Sequence, residues 1–465
     1  MAAATWRAAE FLLRLNFERY ETRLCERYIY LEAAESHRAI GKVFVSTVDE
    51  TFTEALPRDA PPAPVGRRRL LARVFEHPAR STEAQQGTGE PVRDTLGVVV
   101  LIHGLSPSGL WDKRIEAAAR AIACLGFTAV VPDFVEFREC RMSLSTLDDI
   151  AWAVVAIARG FRQDSVSLFA ACIAAGYTLC AVLRNGEHVR QHVRAVMCIG
   201  PYADVEEMVW CTMLSETADA YGRNAIFYNF LRFSSLLVEH GDADITSLGP
   251  EWLPQLLQAL RLALEDSHFL RENTEMAQLP RFFQELHDED RQRRGKRLGA
   301  DGKLGEVGQS LVQELYEQLQ HDKEFRKLHT MAMLSHPTVR EIMKTSQAIE
   351  AVSSEAIDFL VALVHGERDD IVPYRESRRL YCAMLRNRRC KVRPLCEVTS
   401  LLTHGDRQRL NWWTDMPKIV RLVRVFSQFF AYAARPKAPT AQPLPVMNES
   451  TRHWRAGASH PVRTK

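Results

Sequence analysis

Apolar residues along this chain recur in two rhythms. Short runs rich in branched and small apolar residues occur at Gly97 to Ile102, Phe127 to Val131, Val166 to Ala171, Val193 to Ile199 and Ile357 to Val364, the first of them unbroken. Runs without polar alternation predict strands buried on both faces, as in a parallel sheet covered by helices. Between them, Trp111 to Leu125, Leu147 to Arg159 and the stretch beginning at Ala174 space their apolar residues as helices do, and Gly126 stands where a C-terminal cap is expected. The alternation predicts a doubly wound α/β sheet. It stops at about 205 and resumes near 356. The stretch between is helical in pattern (Leu253 to Ala263, Leu311 to Leu319, Thr338 to Ala351), with its longest polar break from Asp288 to Gly305, and it predicts a helical insertion over the strand ends. A helix at about 375 to 386, a strand near Val392 to Leu402 and a helix at about 416 to 433 complete the sheet domain.

The ends read differently. From about 5 to 33, Leu13, Phe17, Tyr20, Leu24, Tyr28 and Leu31 fall at helical spacing and predict one amphipathic helix. Contact with a membrane surface is conceivable through Trp6, Phe11 and Leu12, but Arg7, Arg14, Arg19, Arg23 and Arg27 alternate with Glu10, Glu18, Glu21 and Glu26. A polar face that is not cationic favours packing on the protein body. A strand-like run from Lys42 to Val48 precedes Pro57 to Pro64, a stiff Pro-rich loop, and a second polar loop covers about 80 to 95. The expected organisation is therefore a helix and linker (1–65), a first part of the core (66–204), a helical cap (205–355), a second part of the core (356–435) and a disordered basic tail (436–465).

With 465 residues and 46% apolar composition the chain can bury a sizeable core, and a net charge of +2 gives no reason to expect nucleic acid as a partner. Ten cysteines lie scattered, several inside apolar runs (Cys124, Cys180, Cys198), without metal-ligand spacing. That is how reduced intracellular thiols are distributed. No apolar segment approaches the roughly 20 residues needed to span a bilayer, and no secretory-signal layout opens the chain, so a cytoplasmic location is expected. Neither a metal nor an organic cofactor is called for.

Chemistry concentrates at strand ends, where open α/β sheets bind ligands. The residues there are His103, Asp133, Cys172, Asp204, Asp369 and His404. Cys172 stands at the apex of strand, sharp turn and helix, with the small Ala170 and Ala174 two residues either side, as a nucleophile elbow requires. With Leu101-Ile102-His103-Gly104, the pattern His365-Gly366-Glu367-Arg368-Asp369-Asp370-Ile371-Val372-Pro373, and His404-Gly405, the chain resembles the α/β-hydrolase superfamily over roughly 97 to 204 and 356 to 433. Nucleophile, acid and histidine also fall in that superfamily's chain order. The elbow departs from G-x-S-x-G in three places, with Ala, Cys and Ala for Gly, Ser and Gly.

The resemblance implies roles. Cys172 would attack an acyl carbonyl, His404 would take its proton and later activate an acceptor, and Asp369 would orient His404, with Asp204 as the alternative acid. The Leu105 and Ile173 amides would form the oxyanion hole, and His103 with Gly104 would shape the turn that presents Leu105. A thiol suits the place because a helix N-terminus favours thiolate. The function implied is hydrolysis of a carboxylic ester or thioester, the substrate a small acyl compound, apolar if the insertion lines its pocket. The other reading is a non-catalytic binding or scaffold protein on the same fold.

Overall fold

The computed structural model describes residues 2–17, 24–34, 44–47, 67–77, 95–234 except 217 and 219, single positions between 236 and 264, 306–402 and 412–434. In chain order the elements are α1 (Ala2–Phe17), β1 (Cys25–Ala34), β2 (Phe44–Thr47), β3 (Arg67–Glu76), β4 (Val98–Ile102), α2 (Lys113–Cys124), β5 (Thr128–Pro132), α3 (Val135–Arg138), α4 (Ser145–Gly160), β6 (Val166–Ala171), α5 (Ile173–Arg184), α6 (Glu187–Arg190) and β7 (Val193–Ile199). After these come α7 (Val205–Leu214), α8 (Ala220–Phe230), α9 (Glu306–His321), α10 (Lys323–Ser335), α11 (Pro337–Thr345), α12 (Ala348–Ser354), β8 (Leu360–Gly366), α13 (Arg375–Arg386), β9 (Leu395–Thr399) and α14 (Trp412–Ala433).

Among the described residues the strands form a single nine-stranded sheet in the order β2-β1-β3-β5-β4-β6-β7-β8-β9. Pairing is parallel from β5 through β9 and antiparallel among β2, β1, β3 and β5. Alternate side chains enter opposite cores, as the pleat dictates. Val98, Val100, Ile102, Leu168, Ala170 and Val196 join one core, which α4 and α5 complete. Val99, Leu101, Phe169 and Met197 join the other, with Phe11 of α1, Ile122 of α2 and Phe426, Phe429 and Phe430 of α14. Continuous apolar runs are thus the consequence of two-sided burial. Where helices start and stop, local chemistry decides: the Asp112 side chain accepts from the Arg114 amide ahead of α2, and Gly126 takes φ +94° just beyond its end.

The N-terminal expectation is corrected. The helix ends at Phe17 and Leu24 to Leu31 do not continue it, because Cys25–Ala34 pairs antiparallel with Arg67–Glu76 along its whole length and with β2. Ile29 and Leu31 turn into the core at strand spacing. Cys25–Ala34 and Phe44–Thr47 therefore belong to the sheet rather than to a separate helix and linker. The run from Thr338 to Ala351 also divides, into α11 and α12, with Ser346 at the break. Between α7 and α12 all regular elements among the described residues are helices. The Pro-rich loop 57–64, the polar loop at about 80 to 94, the break from 288 to 305, His404 and the tail 436–465 lie outside the described residues.

Candidate active site at the strand ends

The elbow follows from β6, a buried interior strand, running straight into α5. Between them Cys172 has φ 57° and ψ −138°, a conformation that L-residues avoid. The small Ala170 and Ala174 are fully buried where strand and helix cross. The Cys172 amide donates to the Ile199 carbonyl at the end of β7 (2.8 Å), which fastens the turn to the neighbouring strand. One turn into α5, Gly176 lies against the ring of buried Tyr202: a Cβ there would come within 2.3 Å of it. Cys172 itself is half-buried and packs against the apolar core.

The loop after β4 passes beside the elbow. A Cβ at Gly104 would stand 3.5 Å from the Cys172 Cβ. Among the described residues, the Leu105 amide makes no hydrogen bond to backbone, and Ile173 as the first helical residue carries one of the donors that a helix leaves unused. His103 is buried between two backbone groups: its Nε2 accepts from the Phe134 amide (3.1 Å), so the proton sits on Nδ1 and is donated to the Gly104 carbonyl (2.9 Å). Burial pushes the His103 pKa down and keeps the ring neutral. Asp133 lies 3.9 Å from His103 Nε2 and 3.2 Å from Arg138 Nε, and burial pushes its carboxyl up. Its partner is thus Arg138, a side chain of α3.

Beyond β8, the Asp369 side chain is almost wholly enclosed. Oδ1 accepts from the amides of Ile371 (3.0 Å) and Val372 (2.8 Å), while Oδ2 lies 3.4 Å from His365 Nε2 and against Gly200 at the end of β7. His365 is fully buried. Its Nε2 donates to the Val372 carbonyl (2.8 Å), which leaves Nδ1 to accept from the Ser377 hydroxyl (2.7 Å). The sequence named His365 only as part of a pattern; its place four residues before Asp369 was the signal for this support.

Asp204 is differently employed. It caps α7, with Oδ1 accepting from Glu206 N (3.0 Å), Glu207 N (3.1 Å) and Gln347 Nε2 (3.0 Å), and Oδ2 lies 3.6 Å from Arg379. Glu376, fully buried, accepts from the Ala203 and Asp204 amides and pairs with Arg379 (2.8 Å), so this loop is built as a fixed support. Reading the sequence missed both Glu376 and Tyr221, whose hydroxyl donates to the Leu105 carbonyl from α8. No sequence spacing pointed to either, since each acts across the fold.

Among the described residues no group of three His, Cys, Asp or Glu side chains is arranged to hold a metal ion, and no helix is long and apolar enough to cross a membrane. A mostly parallel, doubly wound sheet carrying a strained elbow after an interior strand and an acidic turn two strands later is the α/β-hydrolase fold. No family profile and no curated protein matches the chain. Solved structures that it resembles include a meta-cleavage product hydrolase of Pseudomonas fluorescens (14% identity, 78% of this chain and 95% of that one, TM-score 0.35). Others are a puromycin-hydrolyzing peptidase of Mycobacterium tuberculosis (13%, 81% and 39%, 0.40) and an esterase domain of a Rhodothermus marinus protein (12%, 79% and 93%, 0.34). Overlaps this loose decide neither fold nor chemistry, which rest on the topology and the site.

Proposed function

We propose that this chain is an acyl hydrolase of carboxylic esters or thioesters that works through an acyl-cysteine intermediate. The observation that carries the reading is the backbone of Cys172: a non-glycine residue held at φ 57°, ψ −138° between a buried strand and a helix N-terminus. Such strain persists where a sharp strand-to-helix turn must present a side chain.

In this reading the Cys172 sulfur attacks the acyl carbonyl carbon, a C–S bond forms, and the carbonyl electron pair moves onto oxygen. The Leu105 and Ile173 amides receive that oxyanion. His404, which follows β9 in the chain, takes the thiol proton and passes it to the departing alkoxide or thiolate. It then draws a proton from water for hydrolysis of the acyl-cysteine. Asp369 holds His404 in orientation. Its carboxylate is enclosed and steadied by two amides at a strand end, whereas Asp204 is engaged in capping α7. The apolar neighbours of Cys172, a core to which Met208, Val209, Ile226 and Phe227 of α7 and α8 contribute, favour an apolar acyl group.

The test is intact-protein mass spectrometry with activated acyl esters and thioesters of graded chain length, on the wild type and on Cys172→Ala and His404→Ala. The expected result is an acyl adduct at Cys172 that turns over in the wild type, does not form in Cys172→Ala and persists in His404→Ala. Adducts absent with every ester, or spread over several cysteines and indifferent to both substitutions, would leave a binding protein on a hydrolase fold.

A further inference from the structure

The helical insertion touches both loops of the site. From α8, the Tyr221 hydroxyl donates to the Leu105 carbonyl beyond β4. From α7, the buried Thr212 hydroxyl lies 3.0 Å from the Ile371 carbonyl, in the turn whose amides hold Asp369. The two helices meet closely at this point: a Cβ at Gly222 would come 2.9 Å from Thr212 Cγ2 and 3.4 Å from Ile371 Cγ2.

The consequence lies in the two peptide planes that flank the Leu105 Cα. The plane before it contains the Gly104 carbonyl and the Leu105 amide. Because N–H and C=O of a trans peptide point in opposite directions, the bond from His103 to the Gly104 oxygen turns the Leu105 N–H away from His103. The plane after it contains the Leu105 carbonyl and the Ser106 amide. That amide donates to the Phe137 carbonyl (3.1 Å), and the carbonyl is taken by Tyr221. The two planes meet at the Leu105 Cα, so the placement of the Leu105 amide follows from both holds, one made by His103 of the sheet domain and the other shared between Phe137 and Tyr221 of the insertion.

We infer that Tyr221 is a positioning residue through which the helical insertion sets the direction of the Leu105 amide, and so the strength of the oxyanion hole. The inference rests on the acyl-cysteine reading above. Tyr221 acts on the carbonyl additions, acylation of the sulfur and hydrolysis of the acyl-cysteine, since in these negative charge collects on the carbonyl oxygen. Alkylation of the same sulfur displaces a halide from a saturated carbon and makes no oxyanion, so it is indifferent to where the Leu105 amide points.

This contrast supplies the experiment. Rates of Cys172 acylation by a p-nitrophenyl acyl ester and of Cys172 alkylation by iodoacetamide are measured by peptide-resolved mass spectrometry for the wild type, Tyr221→Phe and Cys172→Ala. Loss of one positioning hydrogen bond is expected to slow acylation about three- to tenfold, with iodoacetamide alkylation unchanged. Equal acylation in Tyr221→Phe and the wild type would overturn the inference and leave the acyl-cysteine reading standing. Acylation and alkylation falling together would overturn it too, by showing that Tyr221 only supports the elbow. A wild type that alkylates at Cys172 but is never acylated there would remove the reading and the inference with it.

Discussion

Gly176 offers the sharpest test of how the elbow is packed. Replacing it with Ala places a methyl group 2.3 Å from Tyr202 Cε1, 2.4 Å from Cζ and 2.8 Å from Cδ1, all far inside contact distance. The ring cannot swing aside freely, because Tyr202 is fully buried and its hydroxyl donates to the Ser346 carbonyl (2.9 Å). Overpacking of this kind costs about 1–3 kcal/mol, and a strained or broken Tyr202–Ser346 bond adds about 1 kcal/mol. Against this, Ala in a helix gains about 1 kcal/mol over Gly. The net expectation is a loss of about 1–3 kcal/mol. Equilibrium urea unfolding followed by far-ultraviolet circular dichroism reads it directly, and Tyr202→Leu in the Gly176→Ala background should recover part of the loss by removing the ring atoms in the way. Since α5 begins just after Cys172 and Tyr202 follows the end of β7, a displaced contact also shifts the sulfur, and on the acyl-cysteine reading acylation of Cys172 should slow with stability. A Gly176→Ala variant as stable as the wild type, with no coupling to Tyr202→Leu, would refute the close packing of α5 on the β7 loop.

Backbone strain at Cys172 should be visible as an inverted preference: Cys172→Gly is expected to be more stable than Cys172→Ala, since Gly alone escapes a cost of about 1–3 kcal/mol. Thermal or urea midpoints that place Ala above Gly would remove the strain argument. His103 supplies a pH dependence. Burial lowers its pKa in the folded chain, so the unfolded chain binds a proton that the folded chain refuses. Its contribution is complete above about pH 6.5 and is lost as pH falls below that value. His103→Gln, which can keep one donor and one acceptor, should flatten the acid side of the stability profile, and parallel profiles for variant and wild type would contradict the assignment. Thiol labelling should separate the cysteines by environment. Exposed Cys382 and half-buried Cys172 are expected to react in the native protein, while Cys180, pushed up to about 12 by burial, and Cys198, pushed up by burial as well, should react only after unfolding. Early labelling of Cys198 would show that β7 is not the interior strand described.

What the sequence made legible follows from which residues act within their own neighbourhood. The strands β4 to β8 were readable because two-sided burial leaves runs dominated by apolar residues, and the elbow because a tight crossing admits only small residues such as Ala170 and Ala174. The antiparallel edge was not. Leu24, just before β1, and Tyr28 and Leu31 within it stand at spacings that fit a helix by coincidence, and it is pairing with β3 over ten residues and with β2 that makes β1 a strand. β3 went unnoticed because its centre mixes Arg73 with apolar residues. That charge is tolerated inside by Glu26 and by Glu116 (2.9 Å), contributed from β1 and α2. The same division runs through the site. Cys172, Asp369 and His103 stand at strand ends that a one-dimensional pattern can mark. Gly200, which lies against Asp369, His365 behind it, Glu376 beneath the β7 loop and Tyr221 on the Leu105 carbonyl take their meaning from elements far apart in the chain. A nucleophile elbow can therefore be found by its local sterics. The geometry that would make its sulfur an acylating group is distributed, and a good part of it comes from helices inserted between the two halves of the sheet, so substitutions in α7 and α8 should alter chemistry without touching the reacting atoms.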